Sequence, residues 1–404
     1  MDRLTHHATA SGGCSPAVPI DPAWAAARRV LAVRLDNLGD VLMTTPALAA
    51  IRRSLPAARL TLLASKSGAA ALRHLPMLDD AIPYAAPWAR QPGATAVAED
   101  HQLMTRLAAE RFDAAVIFGV CTQSALPAAL LCRLAGIPLR LACSRENPYE
   151  LLTHWQPDTE RVESGMRHEV RRQLELVGSV GFRGGDERLV FYHSPGDVRA
   201  LRGRMTEAGA RFDAPYVVLH VGATAASRRY PVARFAAAAD QIARATGCQI
   251  LLTGDASETA LVATAQAAMA EPSISLAGLL DLGQLGALLA GARLLVSNNT
   301  GPVHMAAALN TPVVVLYAQT NPQHTPWMTP SRVLFEEVAC ATMGVFAPLV
   351  GVVGALQAAE ALKLISGAGQ PLAGKLLLFD ARASEWTSIG IARDPCCAVC
   401  GQAV

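Results

Sequence analysis

The sequence predicts an α/β protein with two doubly wound, parallel-sheet domains and a short C-terminal appendage. Three observations carry this expectation. Near the start, residues 30–35 read as a buried strand and residues 36–40 as a polar loop containing Gly39. Residues 41–54 follow as a helix with Val41, Leu42, Leu48 and Ile51 on one side, and Arg59–Ala64 as a second strand. Such a β-α-β opening builds a parallel sheet whose site lies at the carboxyl ends of its strands. Far downstream the pattern returns: a strand at 292–296, a turn of Asn299, Thr300 and Gly301, a helix at 303–309 and a strand at 313–317. The third observation is size, since 404 residues, 51% of them hydrophobic, are enough for two full cores and an extra segment.

Bulk properties narrow the function. A formal net charge of +2 gives no electrostatic case for nucleic acid. No signal-peptide pattern opens the chain, and residues 1–21, polar with Gly, Ser and Pro, read as a loose arm. No run of 18 residues is both uncharged and strongly apolar. The nearest, 345–365, carries Gln357, Glu360 and Lys363 at helical spacing and reads as an amphipathic helix. Nine cysteines, mostly within apolar segments, suit a reducing, cytoplasmic setting.

In chain order, the first domain continues with strands at 114–118 and 139–142 and a helix at 124–134 between them. Residues 168–180 form an amphipathic helix whose Arg171 and Arg172 are expected on a solvated face. Gly184, Gly185 and Asp186 read as a linker. The second domain begins with a strand at 215–221 and the loop 222–231. A helix at 232–245, the strand Gln249–Thr253 and a helix at 258–269 lead toward the downstream motif. The segments are 1–26 (arm), 27–185, 186–339 and 340–404 (appendage).

Several residues carry chemistry. The helix start at Thr300, Gly301 and Pro302 offers unpaired amides, which favour an anion such as a diphosphate. Ordinary cap chemistry calls for the same residue types. His304 lies in the first turn of that helix. Thr224 and Arg228, a hydroxyl and a permanent cation, suit a diphosphate, whereas a solvated loop would also hold them. Glu258 or Asp255, just past a strand, can accept from ribose hydroxyls, and either can cap the next helix. Asp40 follows the loop glycine and on position alone reads as a helix cap.

The run from Asp36 to Leu48, D-x-x-G-D-x-x-x-T-T-P-A-L, and the run S-N-N-T-G-P-V-H-M-A-A-A-L-N-T-P from Ser297 to Pro312 resemble glycosyltransferase family 9, the heptosyltransferases of lipopolysaccharide assembly. Asn299 stands where that family usually has Asp, keeping the shape but not the charge, and Asn310 where it often has Gly. The resemblance runs from about residue 30 to 340 and implies the GT-B architecture, two Rossmann-like domains facing a cleft. It implies Asp40 as the base that deprotonates the acceptor hydroxyl, with Asn37 and Gly39 in an acceptor-side loop. It places Thr224, Arg228, Asn299, Thr300, Gly301 and His304 on the donor phosphates and Glu258 on the ribose. The donor implied is a nucleotide-diphospho-sugar, ADP-L-glycero-D-manno-heptose. The acceptor is a lipopolysaccharide-core or related glycan hydroxyl met at the inner face of the membrane. With no D-x-D run, the resemblance implies an inverting transferase that requires no metal or cofactor.

From Cys340 the chain resembles instead the C-terminal end of ThiF/MoeB-type adenylyltransferases, through Ala347-Pro348-Leu349-Val350-Gly351 and Arg393-Asp394-Pro395-x-Cys397-x-x-Cys400. In that family Cys340 aligns with a sulfur-handling cysteine, and Cys397 and Cys400 supply two of four thiolates to a structural zinc. Here no second C-x-x-C pair exists and Cys396 offers only a third thiolate, so the zinc site is incomplete. The Gly-rich ATP loop is missing too, which argues against adenylation. A gene-fusion scar, a stabilising graft and a partner contact all fit the tail. The rival to the transferase reading is a catalytically degenerate fusion that binds a nucleotide or a partner through a ThiF/MoeB-like docking tail.

Overall fold

A computed structural model of the chain describes residues 19–89, 97–160, 167–318, 322–336, 370, 375–380 and 385–390. The chain divides into two compact units, Met1–Glu336 and Glu337–Val404; the sequence had suggested a boundary at 339–340.

In the first half of the first unit, β1 (Arg29–Arg34), α1 (Leu38–Ser54), β2 (Arg59–Ala64), β3 (Asp80–Pro83), α2 (Val97–Glu110), β4 (Ala114–Ile117), α3 (Leu126–Leu134), β5 (Leu139–Ser144), β6 (His154–Pro157) and α4 (Glu169–Gly178) follow one another. The strands form one sheet in the order β3-β2-β1-β4-β5-β6. All its pairs are parallel, with Val33 set between Leu63 and Ile117. The second half runs α5 (Pro195–Glu207), β7 (Tyr216–His220), α6 (Val232–Thr246), β8 (Gln249–Thr253), α7 (Thr259–Ala267), β9 (Ser273–Ser275), α8 (Leu282–Gly291), β10 (Leu294–Asn298), α9 (Gly301–Ala308), β11 (Val313–Ala318) and β12 (Ser331–Glu336). Its sheet, β12-β11-β10-β7-β8-β9, repeats the first topology and is parallel throughout. In each sheet the strand order reverses beside the first strand, between β1 and β4 and between β7 and β10. The crevice outside the carboxyl ends at such a reversal is where open α/β sheets bind ligands.

The expected α/β class with two doubly wound sheets is what the chain forms. The central strands β1, β2, β4 and β7 are near-continuous apolar runs because helices cover both faces. Sequence reading missed β3 and β6, edge strands whose residues are mostly half-exposed and carry no buried run. The expected linker, Gly184 to Asp186, separates the sheets but not the hydrophobic interior. Val41, Leu42 and Leu48 of α1 belong to the same buried cluster as Leu288 of α8 and Val303 and Met305 of α9. That shared core sets the two halves face to face.

Two expectations are corrected. The arm does not extend to residue 26: Asp21 caps the single turn Pro22–Ala25, and Trp24 is wholly buried, edge-on to Phe182 at 5.8 Å. Arg172 is not on a solvated face either. It is buried and pairs with Asp158 at 2.8 Å and Glu160 at 3.2 Å, while only Arg171 stays exposed, pairing with Glu187. Helical periodicity put both arginines on the polar side, but the β5–β6 edge supplies carboxylates that neutralise one of them.

In the second unit, β13 (Lys375–Asp380) and β14 (Glu385–Gly390) form an antiparallel hairpin that pairs Phe379 with Trp386. Cys340, Cys396, Cys397, Cys400 and the expected helix 349–365 lie outside the described residues. Among the described residues no helix is long and apolar enough to cross a membrane.

Candidate functional site

One cleft of about 400 Å³ lies between the two halves of the first unit. All ten site residues proposed from the sequence within this unit line it: Asn37, Gly39, Asp40, Thr224, Arg228, Glu258, Asn299, Thr300, Gly301 and His304.

The α1 side is built by helix-start chemistry. Asn37 is the N-cap, so the helix begins at Leu38, and Gly39 and Asp40 sit in its first turn rather than in a loop before it. Asp40 is therefore not the N-cap: from the third helical position its Oδ2 accepts from the Asn37 N–H at 3.2 Å. Its Oδ1 lies 3.4 Å from Nη2 of Arg34. The carboxylate keeps 18% side-chain exposure, so it reaches the cleft. Gly39 meets the opposite half directly, since a Cβ there would stand 2.7 Å from Cδ2 of His304.

The facing side is the start of α9. Thr300 is its N-cap but spends no side-chain hydrogen bond on capping. Gly301 brings an N–H with no intrahelical acceptor, and Pro302 has none to offer. The loop after β7 adds Thr224 and Arg228, and the Arg228 guanidinium has no ion-pair partner among the described residues. Arg229 turns instead to the Ala223 carbonyl at 3.0 Å. Buried Asn298 holds this loop in place: it accepts from the Tyr230 N–H at 2.9 Å and donates to the Val221 carbonyl at 2.8 Å. A helix N-terminus and a cation without an ion-pair partner among the described residues thus share one cavity, an arrangement whose electrostatics suit a diphosphate.

At the β8 end, Asp255 is engaged as a cap, accepting from the Ser257 N–H at 2.8 Å and from its hydroxyl at 2.6 Å. Glu258 reaches back to the Asp255 N–H at 3.0 Å through Oε2, leaving Oε1 for a ligand. Burial pushes the Glu258 carboxyl up, and Asp255 adds to this against the backbone bond and Arg229.

Sequence reading missed His220, His324 and Arg34. His220, at the end of β7, lines the cleft and bonds Thr253 at 3.1 Å through Nδ1. His324 also lines it, and His304 Nδ1 and His324 Nε2 are buried without partners among the described residues. Nothing in the local pattern marked them, because their place depends on where β7 and β11 end in space. Burial lowers His220 to about 4, opposed by Asp255, and lowers His304 to about 3, helped by His324 and His168.

These shifts set a stability profile. The unfolded histidines take up protons near 6.5 and the folded ones only near 4 and 3, so the unfolded state binds more protons in that window and stability falls as pH drops through it. The slope is up to about 1.4 kcal/mol per pH unit for each histidine. Urea midpoints at pH 7 and pH 5 should differ less for His220→Asn than for the wild type; equal differences would refute the assignment to His220.

Among the described residues no three His, Cys, Asp or Glu side chains gather as a metal site. Cys397 and Cys400 are not among them.

Two nucleotide-type sheets that face one cleft have the GT-B architecture. A model of glycosyltransferase family 9 (heptosyltransferase) matches residues 101–343, more than half of the chain, which therefore belongs to that family. Lipopolysaccharide heptosyltransferase 3 of Escherichia coli is 25% identical over 293 residues, covering 72% of this chain and 82% of that protein. The solved structure of E. coli ADP-heptose lps heptosyltransferase II shares the fold at a TM-score of 0.62 and 22% identity, covering 84% of this chain and all of that one. A ThiF family model matches residues 304–399. Molybdopterin-synthase adenylyltransferase of E. coli is 46% identical over 71 residues, 17% of this chain. The chain spans only 15 to 28% of the length of the adenylyltransferases it matches.

Proposed function

We propose that the protein moves a sugar, heptose from ADP-heptose, onto a hydroxyl of a lipopolysaccharide-core or related glycan, with inversion and without a metal. The reading rests on one observation: Asp40 lines the same cleft as the α9 N-terminus and Arg228, which has no ion-pair partner among the described residues. Asp40 takes the acceptor proton as that oxygen attacks the anomeric carbon, and the bond from this carbon to the β-phosphate oxygen breaks. The nucleoside diphosphate leaves with the electron pair. Its charge is met by Arg228, the Thr300 hydroxyl, the Gly301 amide and a ring N–H of His304. Glu258 binds the ribose. Asn299 keeps the outline of the family's Asp without its charge. The acceptor is met at the inner face of the cytoplasmic membrane by a peripheral contact.

Calorimetric titration with ADP, UDP, GDP and dTDP tests the donor site. Selective ADP binding that weakens about 10-fold or more in Arg228→Ala is expected, as for loss of one charge-assisted contact. Preference for another nucleotide would move the donor, and no binding at all would remove the transferase reading. The ThiF family match favours the second reading, a degenerate fusion that docks a partner. Transfer activity in the wild type that Asp40→Ala leaves unchanged would speak for it.

A further inference from the structure

We propose that Arg34 and Glu169 form a buried positioning device that aims Asp40. Arg34 ends β1 with a wholly buried guanidinium that meets three carboxylates. Nε faces Asp36 Oδ2 at 3.1 Å, Nη2 faces Asp40 Oδ1 at 3.4 Å, and Nη1 bonds Glu169 Oε1 at 2.9 Å. Nη1 and Nη2 each donate to a carboxylate oxygen of their own, while Nε lies beside Asp36 as an ion pair without a hydrogen bond, so the two bonded arms fix the plane of the fork and the edge shown to Asp40. Glu169 is wholly buried at the first position of α4, and Gln173, one turn on, donates to the same Oε1. Gln173 also donates to the Gly119 carbonyl at 3.2 Å, which ties the cluster to the loop after β4. Glu169 Oε2 is buried without a hydrogen-bond partner among the described residues. Core packing alone gives no reason to gather three carboxylates around one buried cation and leave an oxygen of the buried one, Glu169, unsatisfied.

The charge balance supplies that reason. A guanidinium facing Asp40 alone would favour the ionised carboxylate strongly and make it a poor base. Asp36 and Glu169 share the cation, so it orients Asp40 while its charge is divided among three carboxylates. The facing groups are Asp36, Asp40 and Glu169 around the guanidinium, Gln123 at 3.0 Å and His324 beside Asp36, His304 across the cleft, and His168 next to Glu169. Burial alone would lower the Arg34 guanidinium, yet the three carboxylates raise it above its ordinary value, so it stays charged.

The device also spans the halves of the unit. His168 caps α4, and its Nε2 meets the Thr325 carbonyl at 2.8 Å while its ring lies 4.4 Å from Trp327. Trp327 in turn donates to the Glu187 carbonyl at 2.7 Å. The segment after β11 thus seats the helix turn that carries Glu169.

The inference rests on Asp40 being the base. The test measures ADP release from ADP-heptose across pH, with deacylated lipopolysaccharide core as acceptor. Glu169→Gln keeps the shape and removes the charge, so Arg34 acts more fully on Asp40 and favours its ionised form. The acidic limb of kcat should move about one pH unit lower and the plateau should fall about tenfold, with donor KM unchanged. Should Glu169→Gln not fold, Arg34→Lys serves: it should lose kcat but retain more than Arg34→Met, because the charge remains and the fork does not. A folded Glu169→Gln with the wild-type limb and plateau, or Arg34→Lys with wild-type kcat, overturns the positioning role. Asp40→Asn run alongside separates the failures: if it retains turnover, the base assignment itself has failed.

Discussion

Asp40→Asn is expected to lower kcat about 10²–10⁴-fold, the range for loss of a general base, while ADP affinity and thermal midpoint stay near wild type. The amide oxygen of Asn can still accept from the Asn37 N–H that Asp40 holds at 3.2 Å, so the helix start survives. Arg34 retains two of its carboxylates, Asp36 and Glu169. What disappears is the group that takes the acceptor proton. Steady-state ADP release and the thermal melt of the same preparation check both halves of this expectation. A fall of less than threefold in kcat would remove Asp40 from the chemistry.

The second large effect is expected at Gly39, where contact between the halves leaves no space for a side chain. In Gly39→Ala the new Cβ would meet Cδ2 of His304 at 2.7 Å, closer than packed atoms tolerate. His304 is buried at the start of α9 and cannot swing out to solvent, so the first turns of α1 and α9 must separate. Overpacking of this kind costs about 1–3 kcal/mol. A shift of about 1 Å between the base and the phosphate-binding turn costs on the order of 10² in rate. Gly39→Ala should therefore lose most of kcat. Pairing it with His304→Ala should restore the thermal midpoint but not the rate. A single variant with wild-type kcat would show that the two helix starts are not held at a set distance during turnover.

The family and both halves of the site were legible from the sequence because their signals are local. An apolar strand, a Gly-bearing polar turn and a helix start fall within a few residues of one another, which places Asp40 and the Thr300–Gly301 turn at strand carboxyl ends. The helix boundary was less legible. Asp40 was assigned just before the helix, yet capping by Asn37 draws three more residues into it. Roles that depend on distant partners left no local mark. Arg172 read as a surface cation and is paired inside, and Arg34 read as one more strand residue although it gathers Asp36, Asp40 and Glu169.

By itself, then, the sequence determined the α/β class, the repeated β-α-β units, the family and the ten residues that came to line one cleft. Only the tertiary structure decided that α1 and α9 meet at Gly39 and His304, that His220 and His324 join the site, and that a buried cation stands behind the base. The reason is physical: periodicity and capping act over a few residues, whereas burial and charge pairing are set by groups from opposite halves of the chain.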